Sequence, residues 1–435
     1  LVGAALVTAG LWLSHMPSLL LHAQFYADDR TWYAGAYTYG PILSLAHPAH
    51  GYVVLLQRLT ASLSLALPMV AAPTFFNAVA LLVEVAGIAY LLSPRMASAI
   101  PALWARLAIA ALVVALPNAY DTSGNLTNSQ WHLGLIAFLV VFARPPRGRW
   151  GRLSDGLILT LSGLTGPYCI ILEPIVVWRW RQDRQDAHRQ MVMLVVSVCT
   201  AIQILMILVT GGVHPGTRDL GAGLLPLITM LGRQWTLGLL VGARGLTGLV
   251  GTPVGSNPAV LALLAAVPVA TCLWAGWRGP AILRAFCLLA ALELILALAQ
   301  PTVSTPPAWP NLGRPADIVN FSPGGIRYFL YPLLAFAISL GWLAWRQASA
   351  LLVHRGPRPR GLRRAGVATG RAAGLGAAAL LLIAAADGVP RDWLYPPYLE
   401  EHWAAEVDRF QSAPAGTKVV IPVNPTGWTM VLVAR

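Results

Sequence analysis

Long apolar runs alternate with short polar stretches along the 435 residues, and each run is close to the length that crosses a bilayer. The first covers residues 1–20. A long loop follows over 21–74, and its stretch 51–67 repeats with a helical period while carrying Gln57 and Arg58 in its middle, the pattern of a helix lying in the membrane interface. Further spans are expected at 75–93, 103–117, 132–143, 191–210, 258–276, 283–300, 327–345 and 372–386. The stretch 220–250 fits two amphipathic helices, near 220–232 and 234–250, with a further hairpin of spans as the alternative. The tail, 387–435, is polar, with short strands expected at Thr417–Ile421 and Met430–Val433.

Residues 156–178 are apolar, yet both flanks are strongly basic: Arg149 and Arg152 before, Arg179, Arg181 and Arg184 after. Basic loops stay in the cytoplasm, so one crossing would place one flank on the wrong side. Gly163-Leu-Thr-Gly166-Pro167 breaks the run at its centre and predicts two short membrane helices joined by a turn, entering and leaving on the same side. Irregular backbone at that depth requires cover from protein or a cavity, which puts the turn inside the bundle.

Composition agrees with this pattern. The chain is 57% hydrophobic and 11% charged, against about 25% charged in soluble domains. The fold class is therefore an all-α polytopic membrane protein of about 11 membrane helices (range 10–13), with interfacial helices in its external loops and a small external C-terminal tail. Residues 1–386 make the transmembrane domain, external loop 21–74 included, and 387–435 a small periplasmic or extracellular segment. The chain opens on Leu, so its native start is expected upstream. The net charge of +13 falls on the loops assigned to the cytoplasm, which carry about 19 Lys/Arg and about 3 acids. It is a topology signal and an attraction to anionic lipid, and no nucleic-acid partner is implied. The four cysteines lie in apolar runs without metal-ligand spacing and read as packing residues.

Candidate chemistry gathers in the outward loops. Asp28 and Asp29 are adjacent acids about one turn from the end of the first span, a costly position in so apolar a chain. One acid could cap a helix starting near Thr31, which leaves the other unexplained. Two neighbouring carboxylates raise the pKa of at least one and suit it to general-base work. Arg327 is either a snorkelling span-end residue or a clamp on phosphate, and Arg58 and Arg244 allow the same two readings. Trp32, Tyr33, Asn128, Gln130, Trp131, His132 and Tyr328 line the mouths of spans and are candidates for contact with sugar or acceptor. No metal site is assigned; His47 and His50 with Asp28 or Asp29 leave a divalent ion, Mg or Mn, open. Glu84, Glu173 and Glu293 are acids within spans and thus functional candidates. The chain has no Walker A loop, dinucleotide fingerprint, HExxH or GxSxG motif.

Ala27-Asp28-Asp29 in the first external loop, Gly124-Asn-Leu-Thr-Asn-Ser-Gln-Trp-His132, the half-spanning Leu161–Pro167 and Gly325-Ile-Arg327-Tyr328 together resemble the GT-C superfamily of polytopic glycosyltransferases, in a bacterial form. The resemblance implies a transferase in the cytoplasmic membrane with its site facing outside. It would take a sugar from a polyprenyl-phosphate carrier to a glycan, lipid or protein acceptor of the cell envelope. Asp28 or Asp29 would be the base, Arg327, Arg58 and Arg244 the phosphate ligands, and Trp32, Tyr33 and Trp131 the sugar platforms. A lipid-linked glycan transporter or flippase, and an O-antigen ligase or polymerase, are the alternatives.

Overall fold

The computed structural model describes residues 2–49, 51–210, 224–249, 251–299, 323–353 and 362–435. It is an all-helical bundle with one small β-hairpin at its C-terminus. Its long helices are α1 (Val2–His15), α2 (Asp29–Tyr39), α3 (Leu55–Ser64), α4 (Ala72–Leu92), α5 (Leu103–Val114) and α6 (Ser129–Phe142). They continue as α7 (Arg149–Gly163), α8 (Tyr168–Gln182), α9 (Ala187–Val209), α10 (Leu224–Met230), α11 (Gly238–Leu249), α12 (Pro258–Arg278), α13 (Ala281–Ala299), α14 (Leu330–Val353), α15 (Leu362–Ile383) and α16 (Trp403–Gln411). Among the described residues, five helices are long and apolar enough to cross a membrane: Met69–Leu92, Ala187–Val209, Pro258–Arg278, Gly325–Ala350 and Gly370–Asp392. Val2–His15, Leu103–Val114 and Ser129–Phe142 are shorter apolar helices in the same bundle. The chain is a multi-pass membrane protein.

The interrupted run at 156–178 is a helical hairpin, α7 and α8, turning at Leu164–Pro167. Each arm has 15 residues, about 22 Å at the α-helical rise and too short for a hydrocarbon core of about 30 Å. Thr165 at the tip is fully buried. The backbone there is satisfied from three directions. Leu55 N donates to Leu164 O at 2.7 Å, Gly166 N to Val53 O at 3.0 Å, and Leu56 N to Thr165 Oγ1 at 3.0 Å. Gln203 Nε2 of α9 reaches the carbonyls of Gly163 and Gly166 at 3.0 and 3.1 Å.

Two expectations are corrected. The helix in 51–67 is shorter, Leu55–Ser64, and does not turn its polar residues to the interface. Gln57 and Arg58 are 1% and 4% exposed, facing inward because α3 packs against α2 and under the 126–127 loop, where Gln57 Nε2 lies 3.4 Å from Leu126 O. The break expected between 232 and 234 lies instead at Gly242 (φ 70°), with a π-helical segment, Leu231–Leu237, carrying the helix through. Asp392 sets that break. Its carboxylate accepts from Asn118 N, Ala243 N and Arg244 N at 2.8, 2.6 and 3.2 Å, and a side chain at position 242 would collide with it. The helix therefore opens where its N–H groups are claimed from outside.

The tail forms β1 (Lys418–Val423) and β2 (Trp428–Val433), paired antiparallel with Ile421 opposite Met430, so that Val419, Ile421, Met430 and Leu432 share an inner face. That face and α16 share one apolar core with Phe25, Trp32, Tyr33 and Phe76. The first loop and the tail are thus one packed unit at one end of the bundle. At the other end Asp155, fully buried, takes both nitrogens of the Arg95 fork at 2.7 and 2.6 Å and faces His188 at 3.5 Å. This ties the turn after α4 to α7 and α9 where the basic loops emerge.

Candidate active site

The tail fixes the acidic pair. Asn424, just after β1, receives Ala27 N on its carbonyl at 2.6 Å and gives its own N–H to Phe25 O at 3.1 Å. Held this way, Ala27 takes a left-handed conformation (φ 49°), uncommon for a residue with a Cβ. The chain then turns directly into α2, with Asp28 at its N-cap and Asp29 in its first turn.

The two acids have different surroundings. Asp29 is fully buried, and both oxygens are used: Oδ2 accepts from Tyr26 N at 3.1 Å, and Oδ1 from the Thr127 hydroxyl at 2.8 Å. It pins the start of α2 to the 118–128 loop. Burial raises its pKa from 3.8 to about 7, against the opposing pull of its two donors. Asp28 is half-buried, and its side chain makes no capping bond. It lies within electrostatic reach of Arg327 and Tyr52.

A third acid completes the group. Asp121 is 2% exposed and accepts the Tyr26 hydroxyl on Oδ1 at 2.7 Å. Its carbonyl takes the side-chain amides of Asn125 and Asn128 at 3.0 and 2.7 Å. Arg327 interacts electrostatically with both Asp121 and Asp28 and packs over the Tyr328 ring at 5.1 Å. Burial raises the pKa of Asp121, while Arg327 and the Tyr26 hydroxyl act against the rise. Tyr398 of the tail stacks on Tyr26, with centroids 5.1 Å apart, and closes one side. The result is a guanidinium within electrostatic reach of two carboxylates among tyrosines, at the junction of the first loop, the 118–128 loop and the start of α14.

The other sequence candidates fall as follows. Gln130 is half-buried beside Gly166, and it bonds the Tyr52 side chain, so it borders this group. Tyr328 belongs to it. Asn128 serves the loop backbone, with its N–H on Asn125 Oδ1. Trp32, Tyr33 and Trp131, expected as sugar platforms, are 2%, 3% and 4% exposed and are packed among protein side chains. Arg58 covers Trp32, Phe25 packs on Tyr33, and Tyr168, Tyr328 and Tyr331 surround Trp131. His132 is also buried, with its ring 3.1 Å from Thr122 O, 4.0 Å from Glu84 and edge-on to Trp12. Arg244 is exposed and spends its guanidinium on Leu394 O at 2.7 Å, which ties it to the Asp392 turn. Arg58 is a different case: a buried guanidinium over Trp32 whose Nε and Nη1 have no hydrogen-bond partner among the described residues.

Among the described residues no three His, Cys, Asp or Glu side chains come close enough to share a metal ion. Asp29 has both oxygens occupied by donors, and Asp28 and Asp121 lie within electrostatic reach of the Arg327 guanidinium. His47 packs edge-on against Tyr39, and His50 lies outside the described residues. Asp121 received no role in the sequence reading. It is one of several polar residues in a short loop, and what singles it out is contact with Tyr26, 95 positions away.

No protein-family model matches the chain, and no curated protein matches it. Its structure is similar to the crystal structure of an oligosaccharyltransferase from Archaeoglobus fulgidus in complex with Zn and sulfate, at a TM-score of 0.45 and 13% identity. The match covers 95% of this chain and 56% of that one, so this chain spans little more than half of that protein's length.

Proposed function

We propose that the protein is a GT-C-type membrane glycosyltransferase that moves a sugar from a polyprenyl-phosphate carrier to an envelope acceptor at the outer face of the bacterial cytoplasmic membrane. The observation that carries this reading is the gathering of two carboxylates of unequal exposure, half-buried Asp28 and buried Asp121, within electrostatic reach of one guanidinium, Arg327. Asp28 takes the proton of the acceptor hydroxyl as that oxygen bonds to the anomeric carbon. The bond from that carbon to the carrier phosphate breaks, and the departing phosphate takes the electron pair against Arg327, a fork suited to phosphate oxygens. Asp121 holds Arg327 in place and touches neither substrate. Asp29, with both oxygens committed, positions Asp28. A donor that arrives through the lipid suits a site at the end of a membrane bundle, where nucleotide sugars are absent.

The test is transfer from a polyprenyl-phosphate sugar in membranes containing Asp28→Asn or Asp29→Asn. Loss of turnover in Asp28→Asn, with normal expression and unchanged donor binding, is expected. Full activity in both variants would end the proposal.

A further inference from the structure

An open cavity of about 560 Å³ lies among α4, α5, α6, α13 and α14. Its walls are apolar, with Ile109, Leu139, Phe286 and Ile338 typical, and Glu84 and His132 are the ionisable residues that line it. Gly341 and Trp345 on its wall lie 11 and 15 residues along α14 from Leu330, about 16 to 22 Å from the Arg327 end. The cavity also takes in Leu334, one turn from Leu330, so it runs along α14 from a floor near the acidic group to an end well away from it. Trp104 and Trp345 flank its mouth, each about half-exposed, with their rings 4.6 Å apart. Aromatic residues of this kind mark the boundary between hydrocarbon and headgroups. One cation stands beside them: Arg346 is exposed and packs on the Trp342 ring at 5.4 Å, whereas Arg106 is buried and gives its guanidinium to the carbonyls of Leu92 and Ser93 at 3.1 and 2.7 Å. A dry slot open to the side, tryptophans at the headgroup level and an exposed guanidinium next to them match an amphiphile with a hydrocarbon chain and an anionic head.

We infer that this cavity seats an acyl chain of an anionic phospholipid drawn from the leaflet opposite the acidic group, with its phosphate beside Arg346 and its chain running along α5 and α14 toward Glu84. The floor of the seat is bonded to the loop that carries Asp121. Glu84 Oε1 accepts Gly124 N at 2.7 Å, and His132 Nε2 meets Thr122 O at 3.1 Å. A filled seat therefore supports that loop from below. The inference rests on the membrane bundle alone and stands whether or not the chain is a transferase.

Gly341 gives a clean test, because a side chain added there meets nothing within 4 Å and projects into open space. The full-length protein is placed in phosphatidylcholine vesicles doped with phosphatidylglycerol carrying a diazirine on its acyl chain, irradiated and mapped by peptide mass spectrometry. Adducts concentrated on 99–113 and 334–345 are expected. They should be lost in Gly341→Phe and reduced in Gly341→Leu, with labelling at the outward-facing Leu205 and Leu208 unchanged in both. Adducts spread evenly over lipid-facing helices, or undiminished in both variants, overturn the seat. Equal labelling by a phosphatidylcholine probe overturns its preference for an anionic head. Displacement of the phosphatidylglycerol probe by a polyprenyl phosphate overturns the acyl chain in favour of a carrier tail.

Discussion

The Tyr26 hydroxyl donates to Asp121 Oδ1 at 2.7 Å, across 95 residues of sequence. This bond joins the first loop to the 118–128 loop. Asp121 is buried, and its other oxygen, Oδ2, has no hydrogen-bond partner among the described residues. Tyr26→Phe removes the donor and leaves a desolvated carboxylate with less support. Thermal unfolding in detergent should show a loss of about 1.5–3 kcal/mol, the range for hydrogen bonds to charged groups. Asp121→Asn in the same background should recover part of that loss, because the neutral amide is cheaper to bury. Additive losses in the double variant would mean that the bond does not couple the two loops.

Asp29 makes stability depend on pH with a definite sign. Its folded pKa is about 7 against an ordinary value of 3.8, so between those limits the folded state binds more protons than the unfolded one. Stability from this group is then full below about pH 4, falls as pH rises toward 7 and is flat above. Asp29→Asn carries no titrating group and should flatten that slope. Melting temperature measured from pH 4 to 8 in wild type and variant checks it. An unchanged slope would place the titration elsewhere.

The helical architecture was legible because span length, Pro and Gly breaks and basic flanks act locally. The α7–α8 hairpin could be derived from Gly163–Pro167 and two arginine clusters alone. The strands of the tail were legible for the same reason. The site was only partly so. Two adjacent acids at a span end are conspicuous, but which is the anchor depends on Thr127 and Tyr26, which distant packing supplies. Aromatic residues at span mouths look alike in sequence whether they face a sugar or a core. Trp131 resolved into the core because Tyr168, Tyr328 and Tyr331 reach it from other helices.

Arg58 separates a structural from a ligand-binding role. Its guanidinium is buried over Trp32 at 5.2 Å, in space left by Gly35, where any side chain would collide with Nη1. No carboxylate pairs with it in a described salt bridge, and burial lowers its pKa. A buried cation of this kind costs stability, so Arg58→Met should leave the fold as stable or more so. If the guanidinium receives the donor phosphate, the same variant raises KM for the polyprenyl-phosphate sugar by about ten-fold, the worth of about 1.4 kcal/mol, with kcat little changed. Gly35→Ala should destabilise wild type, and Arg58→Met should relieve it.

Gln203 is the residue on which the hairpin tip depends. Its side chain is fully buried, and its amide faces both strands of the crossing. Oε1 accepts Val53 N at 2.9 Å, while Nε2 lies 3.1, 3.0 and 3.1 Å from the carbonyls of Val53, Gly163 and Gly166. These carbonyls belong to the turn and its partner segment, where no helix supplies N–H groups. Gln203→Leu keeps the volume and removes every one of these bonds. At membrane depth no water replaces them, so the cost should be about 2–4 kcal/mol. Gln203→Glu keeps the shape but sets a carboxylate against three carbonyls, and should be worse at neutral pH and nearer wild type in acid. Hydrogen exchange at 163–167 should rise in both variants ahead of the rest of the bundle. Equal protection there in wild type and Gln203→Leu would mean that the 53–56 segment alone holds the tip.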